Sequence, residues 1–242
     1  ANALGRDPVT TPVLPNTDAF RLRCFIERLI ALDLAEIYDR PIDLINLAAV
    51  LEGNPKAVLF KNAGPEGAEL VGGVTGSRAR IAAGFDVPAE ALLQTVLERI
   101  AQPQPLVEVD STDAPVHAVI LRGEDADLTR LPVHLQHERD GGPYISSALD
   151  HVVDPETGLT NLGCRRMMLR GRREAGVDLN APSDLKAIYE RATGRGEPLP
   201  GNFVVGAHPS DHGAASMRVP SNEIELIARL RAQPLAVGRG VT

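Results

Sequence analysis

Apolar positions in the first hundred residues follow helical spacing in some segments and run continuously in others. Stripes at helical spacing predict helices over residues 18–34, 41–52, 77–84 and 88–100. Continuous apolar runs predict buried strands over residues 57–60 and 70–74. Strands that alternate with helices are typical of an α/β domain, which we expect over residues 1–118.

The pattern changes after Pro103, where strand-like segments dominate. We predict strands over residues 107–122, 144–153, 159–169 and 203–205, the last of them buried. Residues 154–158 have the composition of a tight turn between antiparallel strands. Further helices are predicted over residues 183–195 and 222–233. The fold class is therefore α/β plus β, in which residues 119–242 form a second part built on antiparallel strands.

Composition narrows the classes of function. Lys and Arg number 25 and Asp and Glu number 32, so the net charge is −7. An acidic chain without a basic stripe is poorly suited to a phosphate backbone, and we expect no nucleic-acid partner and no membrane span. Cys24 and Cys164 lie far apart and show no ligand spacing, which favours a reducing cytoplasm.

Arg165 and Arg166 are adjacent on a predicted strand, so their side chains should point to opposite faces. From this segment alone we favour one arginine at the surface and the other paired with a buried carboxylate. Glu223, near a predicted helix start, could ligate a metal, but an acid that complements the helix dipole is the favoured interpretation.

Two histidine pairs have spacings that could serve a metal. They are His134 with His137 and His208 with His212, and neither pair has a third ligand at a known spacing. We therefore favour solvated histidines. A loop at Gly141-Gly142 and the strand end at Gly206 could approach a ligand, although an ordinary loop is the favoured interpretation of the first.

The order of several segments resembles the UbiD-type decarboxylase family, over nearly the whole chain and as its amino-terminal half. The segments that carry the resemblance are Asp140–Ile145, Asp154–Gly158, Asn161–Arg166, Gly194–Pro200, Gly206–Pro209, Val219-Pro220, Glu223 and Leu230–Pro234. The resemblance implies a flavin reductase-like split barrel. It also implies reversible, non-oxidative decarboxylation of an aromatic, heteroaromatic or α,β-unsaturated carboxylic acid.

The resemblance further implies prenylated flavin mononucleotide (prenylated FMN) as cofactor, together with Mn²⁺ and possibly K⁺. Asn161 and Glu223 match metal ligands of the family, and their amide and carboxylate oxygens suit a hard cation. Arg166 matches the catalytic arginine that meets the substrate carboxylate. The implied cofactor-binding residues are Asn161, Gly163, Cys164, Arg165, Arg166, Ser216, Met217 and Glu223.

We expect Arg166 to face the cofactor cavity and Arg165 to lie on the other side of the strand, where it could help to hold the flavin. Asn161 precedes Arg166 by five residues, an odd number that places the two on opposite faces of a regular strand. For both to reach one cofactor, Asn161 must lie at the hairpin end or the strand must bulge.

The chain departs from the family pattern in two places. No His occupies residues 181–185, where some members carry a third metal ligand, so Asp184, or less readily Ser183, would take that place. The family's Glu-x-Pro-(Phe/Tyr)-Gly-Glu segment, which holds the acid/base glutamates, does not occur in the sequence. We therefore expect this fragment to be inactive alone, and the missing carboxy-terminal half or a second UbiD-like chain to complete a homo- or hetero-oligomer.

Two other classes of function stay open. One is a non-catalytic flavin-binding or assembly subunit that pairs with a full-length relative. The other is a flavin reductase-like module that binds an ordinary flavin.

Overall fold

A computed structural model describes residues 15–219 and 222–241. Its α-helices are α1 (Leu22–Ala31), α2 (Leu47–Leu51), α3 (Arg78–Gly84), α4 (Leu92–Ile100), α5 (Asp184–Gly194), α6 (Pro209–Ala215) and α7 (Glu223–Arg231). Its strands are β1 (Ala35–Tyr38), β2 (Ala57–Ala63), β3 (Ala68–Gly72), β4 (Leu106–Glu108), β5 (Tyr144–Val153), β6 (Thr160–Gly171), β7 (Glu174–Val177), β8 (Asn202–Val205) and β9 (Leu235–Val237). The extended arm expected over residues 1–17 lies largely outside the described residues.

The first sheet has the order β1-β2-β3, in which β1 and β2 run parallel and β3 is antiparallel to β2. Ala57 packs with α1 on one side of β2, while Val58 and Phe60 pack with Leu47 of α2 on the other. A strand that is covered on both faces has a continuous apolar sequence, which explains why residues 57–60 could be predicted as a buried strand.

The second sheet has the order β7-β6-β5-β8, and all of its pairings are antiparallel. The strands predicted over residues 144–153 and 159–169 are confirmed as the β5–β6 hairpin. The antiparallel part of the predicted fold class is therefore present, while the specific split barrel stays a prediction.

A large core cluster joins the two halves of the chain. Phe85 and Leu92 pack in it together with Leu149, Leu162 and Leu226. Strand β4 also pairs in parallel with β9. The domain boundary near residue 118 stays a prediction. The core cluster contains residues from both sides of that position.

Two predictions for the first 122 residues were wrong. The strand expected over residues 107–122 is only β4, because a turn closes at Asp113 and a 3-10 helix begins at Pro115, which has no N–H for a ladder. The helix expected from Asp18 is interrupted at Arg21, whose backbone is extended (φ −75°, ψ 132°), so α1 begins one residue later. The sequence pattern also missed β1.

Two of the predicted helices begin directly after a serine. Ser77 caps α3 and Ser183 caps α5 through side-chain acceptance of a backbone N–H. The helix expected from Pro41 begins later, as a 3-10 turn at Leu44 that continues into α2.

Strand β8 exists as predicted but is not buried. The side chains of Phe203, Val204 and Val205 are 44%, 41% and 59% exposed. Within the described residues β8 pairs only with β5 and lies at the edge of its sheet. A continuous apolar run therefore marks an uncovered edge here, which is the opposite of its meaning in β2.

Arg99 connects α4 to the second half of the chain. Its guanidinium donates to the carbonyl of Leu230 (2.7 Å) and to that of Phe85 (2.8 Å). We expect Arg99→Met to lower the free energy of unfolding by about 2 kcal/mol, because the two carbonyls would lose their donor. Arg239→Met, which breaks an exposed ion pair with Glu108, is the control for chemical denaturation. Equal losses in the two variants would contradict the bridging role of Arg99.

Candidate functional site

The turn between β5 and β6 is organised by one buried carboxylate, Asp154. It accepts hydrogen bonds from the N–H of Glu156 (3.0 Å), the hydroxyl of Thr157 (2.7 Å) and the guanidinium of Arg191 (2.6 Å). These bonds, led by the Thr157 hydroxyl, lower the pKa of Asp154 to about 2. The turn therefore holds the start of β6 in a defined place.

Asp150 lies in the middle of β5 and is completely buried. It accepts a hydrogen bond from Asn161 Nδ2, and its Oδ1 lies 2.9 Å from Nε of Arg165. The Arg165 N–H is not aligned with that oxygen, so this contact is an ion pair rather than a directed hydrogen bond. Burial raises the pKa of Asp150 to about 6, although Arg165 and Asn161 oppose the shift.

Gly163 makes this arrangement possible. A Cβ at this position would lie 3.0 Å from Asp150 Oδ1 and 3.2 Å from a terminal nitrogen of Arg165. The missing side chain leaves the space into which the carboxylate and the guanidinium converge. The cofactor contact expected for Gly163 stays a prediction.

Alternation along β6 separates the two arginines. Arg165 shares a face with Asn161 and pairs with the buried Asp150, while Arg166 is exposed. This confirms the favoured interpretation of one surface arginine and one paired with a buried carboxylate. The roles expected of both arginines toward a flavin stay predictions.

Whether Asn161 and Arg166 reach one ligand stays a prediction. Asn161 pairs with Val152 one step from the hairpin end. In addition, β5 bulges between Ile145 and Ala148, opposite Arg166, so the bulge lies in the partner strand rather than in β6.

Other expected cofactor residues come together beside β6. Cys164 Sγ lies 3.8 Å from Ser216 Oγ, and Ser216 caps the end of α6. Met217 follows and packs, partly buried, against the main core cluster. Two segments 52 residues apart in sequence therefore meet on the face of β6 that carries Cys164.

Helix α7 places Glu223 against the start of β6. Asn222 caps the helix and accepts from the hydroxyl of Thr160 (3.0 Å), which in turn accepts from the N–H of Glu223 (3.0 Å). The Glu223 carboxylate accepts from the N–H of Leu162, the residue after Asn161. Glu223 thus reaches the neighbourhood of Asn161, and its predicted place at a helix start is confirmed.

The charges near Glu223 suit a cation. Burial raises the pKa of Glu223, and repulsion from Asp184 adds to the shift. Asp184, the first residue of α5, lies 3.7 Å from Arg218 in an exposed pair. The acids alone do not form a closed metal cluster among residues 15–219 and 222–241. A divalent cation here would therefore need the Asn161 amide oxygen beside Glu223 and Asp184, and oxygen donors of these types suit Mn²⁺.

The histidines correct one prediction. His208 is buried, accepts from the N–H of Ser210 (3.2 Å) as the cap of α6, and packs edge-on against Phe20 and Phe25. Burial lowers its pKa to about 4. His208 is therefore not solvated, because the strand end at Gly206 leads into the core rather than into an open loop.

Two surface depressions of the described chain lie elsewhere. One is lined by residues that include Tyr38 and Asn46, and another by residues that include Arg28 and Pro88. Neither includes a residue of β6. We assign the candidate site to β6 because charged and polar side chains from β5, β6, α6 and α7 converge there.

Asp150 is the residue that the sequence reasoning missed. It lies between Leu149 and His151 in a segment recognised as a strand. A charged residue inside a buried strand requires a partner. Arg165, on the next predicted strand, was the available signal.

The fold and the site define a mixed α/β protein in which polar side chains and two adjacent arginines meet on one central hairpin. The chain belongs to the UbiD family. Residues 31–100 match the family model for the 3-octaprenyl-4-hydroxybenzoate carboxy-lyase N-terminal domain, and residues 107–242 match the Rift-related domain of the same enzyme.

Curated relatives include an uncharacterised protein in the cooM 5′ region of Rhodospirillum rubrum, 32% identical over 82% of this chain and 44% of the relative. Pyrrole-2-carboxylic acid decarboxylase of Pseudomonas aeruginosa is 28% identical over 94% of this chain and 50% of the enzyme. The chain thus spans about half the length of the curated relatives it matches.

Among solved structures, an evolved dimeric form of the UbiD-class enzyme HmfF from Pelotomaculum thermopropionicum, in complex with prFMN, superposes with a TM-score of 0.84. It is 28% identical, and the match covers 92% of this chain and 53% of that enzyme. Within the described residues, no helix has both the length and the apolar character needed to cross a bilayer. A cytoplasmic location stays a prediction.

The lowered pKa of Asp154 predicts a pH dependence of stability. The carboxylate stabilises the fold above its ordinary pKa of 3.8, and this contribution is lost as the pH falls through about 2. We expect Asp154→Asn to lower the melting temperature at pH 7, and the difference from wild type to narrow between pH 4 and pH 2. Thermal unfolding at several pH values measures this, with the exposed Asp125→Asn as control. A gap that stays constant down to pH 2 would contradict the assignment.

Proposed function

We propose that this chain is the amino-terminal half of a decarboxylase that acts reversibly on an aromatic, heteroaromatic or α,β-unsaturated carboxylic acid with prenylated FMN. Family membership sets the chemistry. The observation that carries the proposal is the meeting of Cys164 with Ser216 and of Glu223 with the start of β6, on the strand that holds Arg166.

The chain's own residues would have separate roles in binding the metal and the cofactor. Asn161, Glu223 and Asp184 would offer oxygen atoms to a divalent metal, Mn²⁺, whose charge would offset that of the cofactor phosphate, and K⁺ would be a second ion. Cys164, Ser216 and Met217 would line the cofactor, together with the backbone of Gly163.

Arg166 would bind the substrate carboxylate. It is exposed, and its guanidinium can donate two parallel hydrogen bonds to a carboxylate. The prenylated flavin supplies the electron sink that loss of carbon dioxide from an unsaturated carbon requires.

The proton donor would come from outside this sequence. The Glu-x-Pro-(Phe/Tyr)-Gly-Glu segment does not occur in the 242 residues. We therefore propose that the carboxy-terminal half, or a second UbiD-like chain, supplies the acid/base glutamates, and that this chain alone does not turn over.

A second candidate function uses the same cofactor residues. A flavin-binding or assembly subunit would use the cofactor residues without needing the glutamates. Such a subunit would bind the flavin in a complex that contains no glutamate segment and releases no carbon dioxide.

A substitution of Arg166 tests the catalytic proposal in the completed enzyme, loaded with prenylated FMN and Mn²⁺. Arg166→Lys keeps the charge and loses the planar fork, so we expect kcat to fall about 100-fold because the substrate is misplaced. Carbon dioxide release from a panel of the three acid classes measures turnover, and absorbance measures cofactor content.

Arg170→Lys is the matched control, because Arg170 is an exposed arginine on the same strand. Near-normal turnover in Arg166→Lys would remove Arg166 from the mechanism. No turnover in the wild-type complex with bound flavin would favour the assembly subunit.

We further propose that the carboxy-terminal half docks on the edge strand β8. An apolar run at residues 118–121 is also exposed, and its neighbour Arg122 donates to the carbonyl of Val241 (2.8 Å). Gly240 lies against Asn202 of β8. The segment around residue 240 therefore lies between the run and the strand edge, and exposed apolar segments and strand edges of this kind mark interfaces.

Val204→Lys would place a charge on that edge. We expect it to weaken association with the chain that carries the glutamate segment by about tenfold or more, since one buried charge costs more than 1.4 kcal/mol. Sedimentation of the two purified chains measures the complex. Leu93→Lys, on exposed α4, is the control. Unchanged association between the two chains would contradict the proposal that the carboxy-terminal half docks on β8. Loss of a dimer formed by two copies of this chain would contradict it as well.

A further inference from the structure

The side chain of Asn161 can be oriented in two ways, and only one of them offers an oxygen to a cation. Its amide carries a donor nitrogen at one end and an acceptor oxygen at the other. Nδ2 donates to Oδ2 of Asp150. With Nδ2 on the carboxylate, Oδ1 is the atom left for another partner.

We propose that Asp150 is a positioning residue, which holds Asn161 with Oδ1 available to a divalent cation, and that Arg165 is the counter-ion of Asp150. This inference rests on the metal role proposed above for Asn161. It assigns tasks to two residues behind the site, one of which was expected to contact the flavin.

The surroundings of Asp150 suit a positioning role. Its carboxylate is completely buried in the middle of β5, between β6 and β8, and has little freedom to move. A carboxylate accepts hydrogen bonds and does not donate them, so the amide end facing it must be Nδ2. Asp150 thus settles the orientation of the Asn161 amide by presenting an acceptor to Nδ2.

Arg165 and Gly163 make the buried charge tolerable. Arg165 Nε lies 2.9 Å from Asp150 Oδ1, and its side chain is 21% exposed. A lone buried carboxylate is costly, and a counter-ion at this distance offsets the cost. The open space at Gly163 admits both groups, since a Cβ there would lie 3.0 Å from Asp150 Oδ1.

Residues that form hydrogen bonds with a metal-ligating side chain influence metal affinity strongly, because they orient the ligating atom. Their substitution typically weakens metal binding by about 10- to 100-fold. A purely structural ion pair would instead affect folding and leave metal affinity unchanged once the fold is restored. The two roles are therefore separable by experiment.

Two double variants separate them. Both remove the charge pair, which can often be replaced by uncharged side chains without loss of stability. Asp150→Leu with Arg165→Met leaves Asn161 Nδ2 without an acceptor. Asp150→Asn with Arg165→Met retains an acceptor oxygen at the same place.

Mn²⁺ binding to the purified chain, followed by electron paramagnetic resonance with the metal alone, is the readout. We expect the Leu-containing variant to bind Mn²⁺ about 10- to 100-fold more weakly, and the Asn-containing variant to lose less than about tenfold. Melting temperatures of both variants show whether the fold is intact. The control is Asp127→Leu with Arg172→Met, because that pair has the same 2.9 Å separation and lies away from Asn161.

Equal Mn²⁺ affinity in wild type and a folded Leu-containing variant would overturn the positioning role. Equal weakening in both double variants would also overturn it, since charge rather than amide orientation would then be responsible. If the Leu-containing variant does not fold, an Asn-containing variant weakened by more than tenfold overturns the role and one weakened less supports it. Wild-type protein that binds no Mn²⁺ would overturn the proposed metal site itself, which distinguishes that failure from failure of Asp150.

Discussion

The antiparallel pairing of β5 with β6 is the constraint on which the candidate site depends. Their ladder runs from Tyr144 opposite Met168 to Val153 opposite Thr160. A shift of one residue would turn every side chain of β6 to the other face. The turn at Asp154 and the buried pair on Asp150 both oppose such a shift, so polar contacts at two levels of the hairpin define the register.

The helices that bring further residues to β6 are joined by a second charged contact. Asp211 of α6 forms two hydrogen bonds with Arg231 of α7, at 2.9 and 2.6 Å. Ser216 follows the end of α6 and Glu223 begins α7, so the pair joins the two helices at the ends opposite to those that approach β6. A bidentate contact of this kind defines geometry as well as adding stability.

The residues proposed for the cofactor and the metal lie in one part of the chain. The residues that could hold a metal and a flavin come from β6, α5, α6 and α7, all within residues 160–231. Within the described residues β8 forms an exposed edge of its sheet. On the proposed function, cofactor binding and proton transfer would be carried by different parts of the completed enzyme.

Local patterns in the sequence determined the elements with strong local causes. Ser77 and Ser183 cap their helices, and the turn at residues 154–158 joins two antiparallel strands, because these interactions join residues close in sequence. Motif order also determined the family. Only the tertiary structure decided that the run at residues 203–205 is exposed and that Asp150 lies between Asn161 and Arg165. Burial and ion pairing between strands depend on which segments meet in the fold. The local periodicity of a sequence does not contain that information.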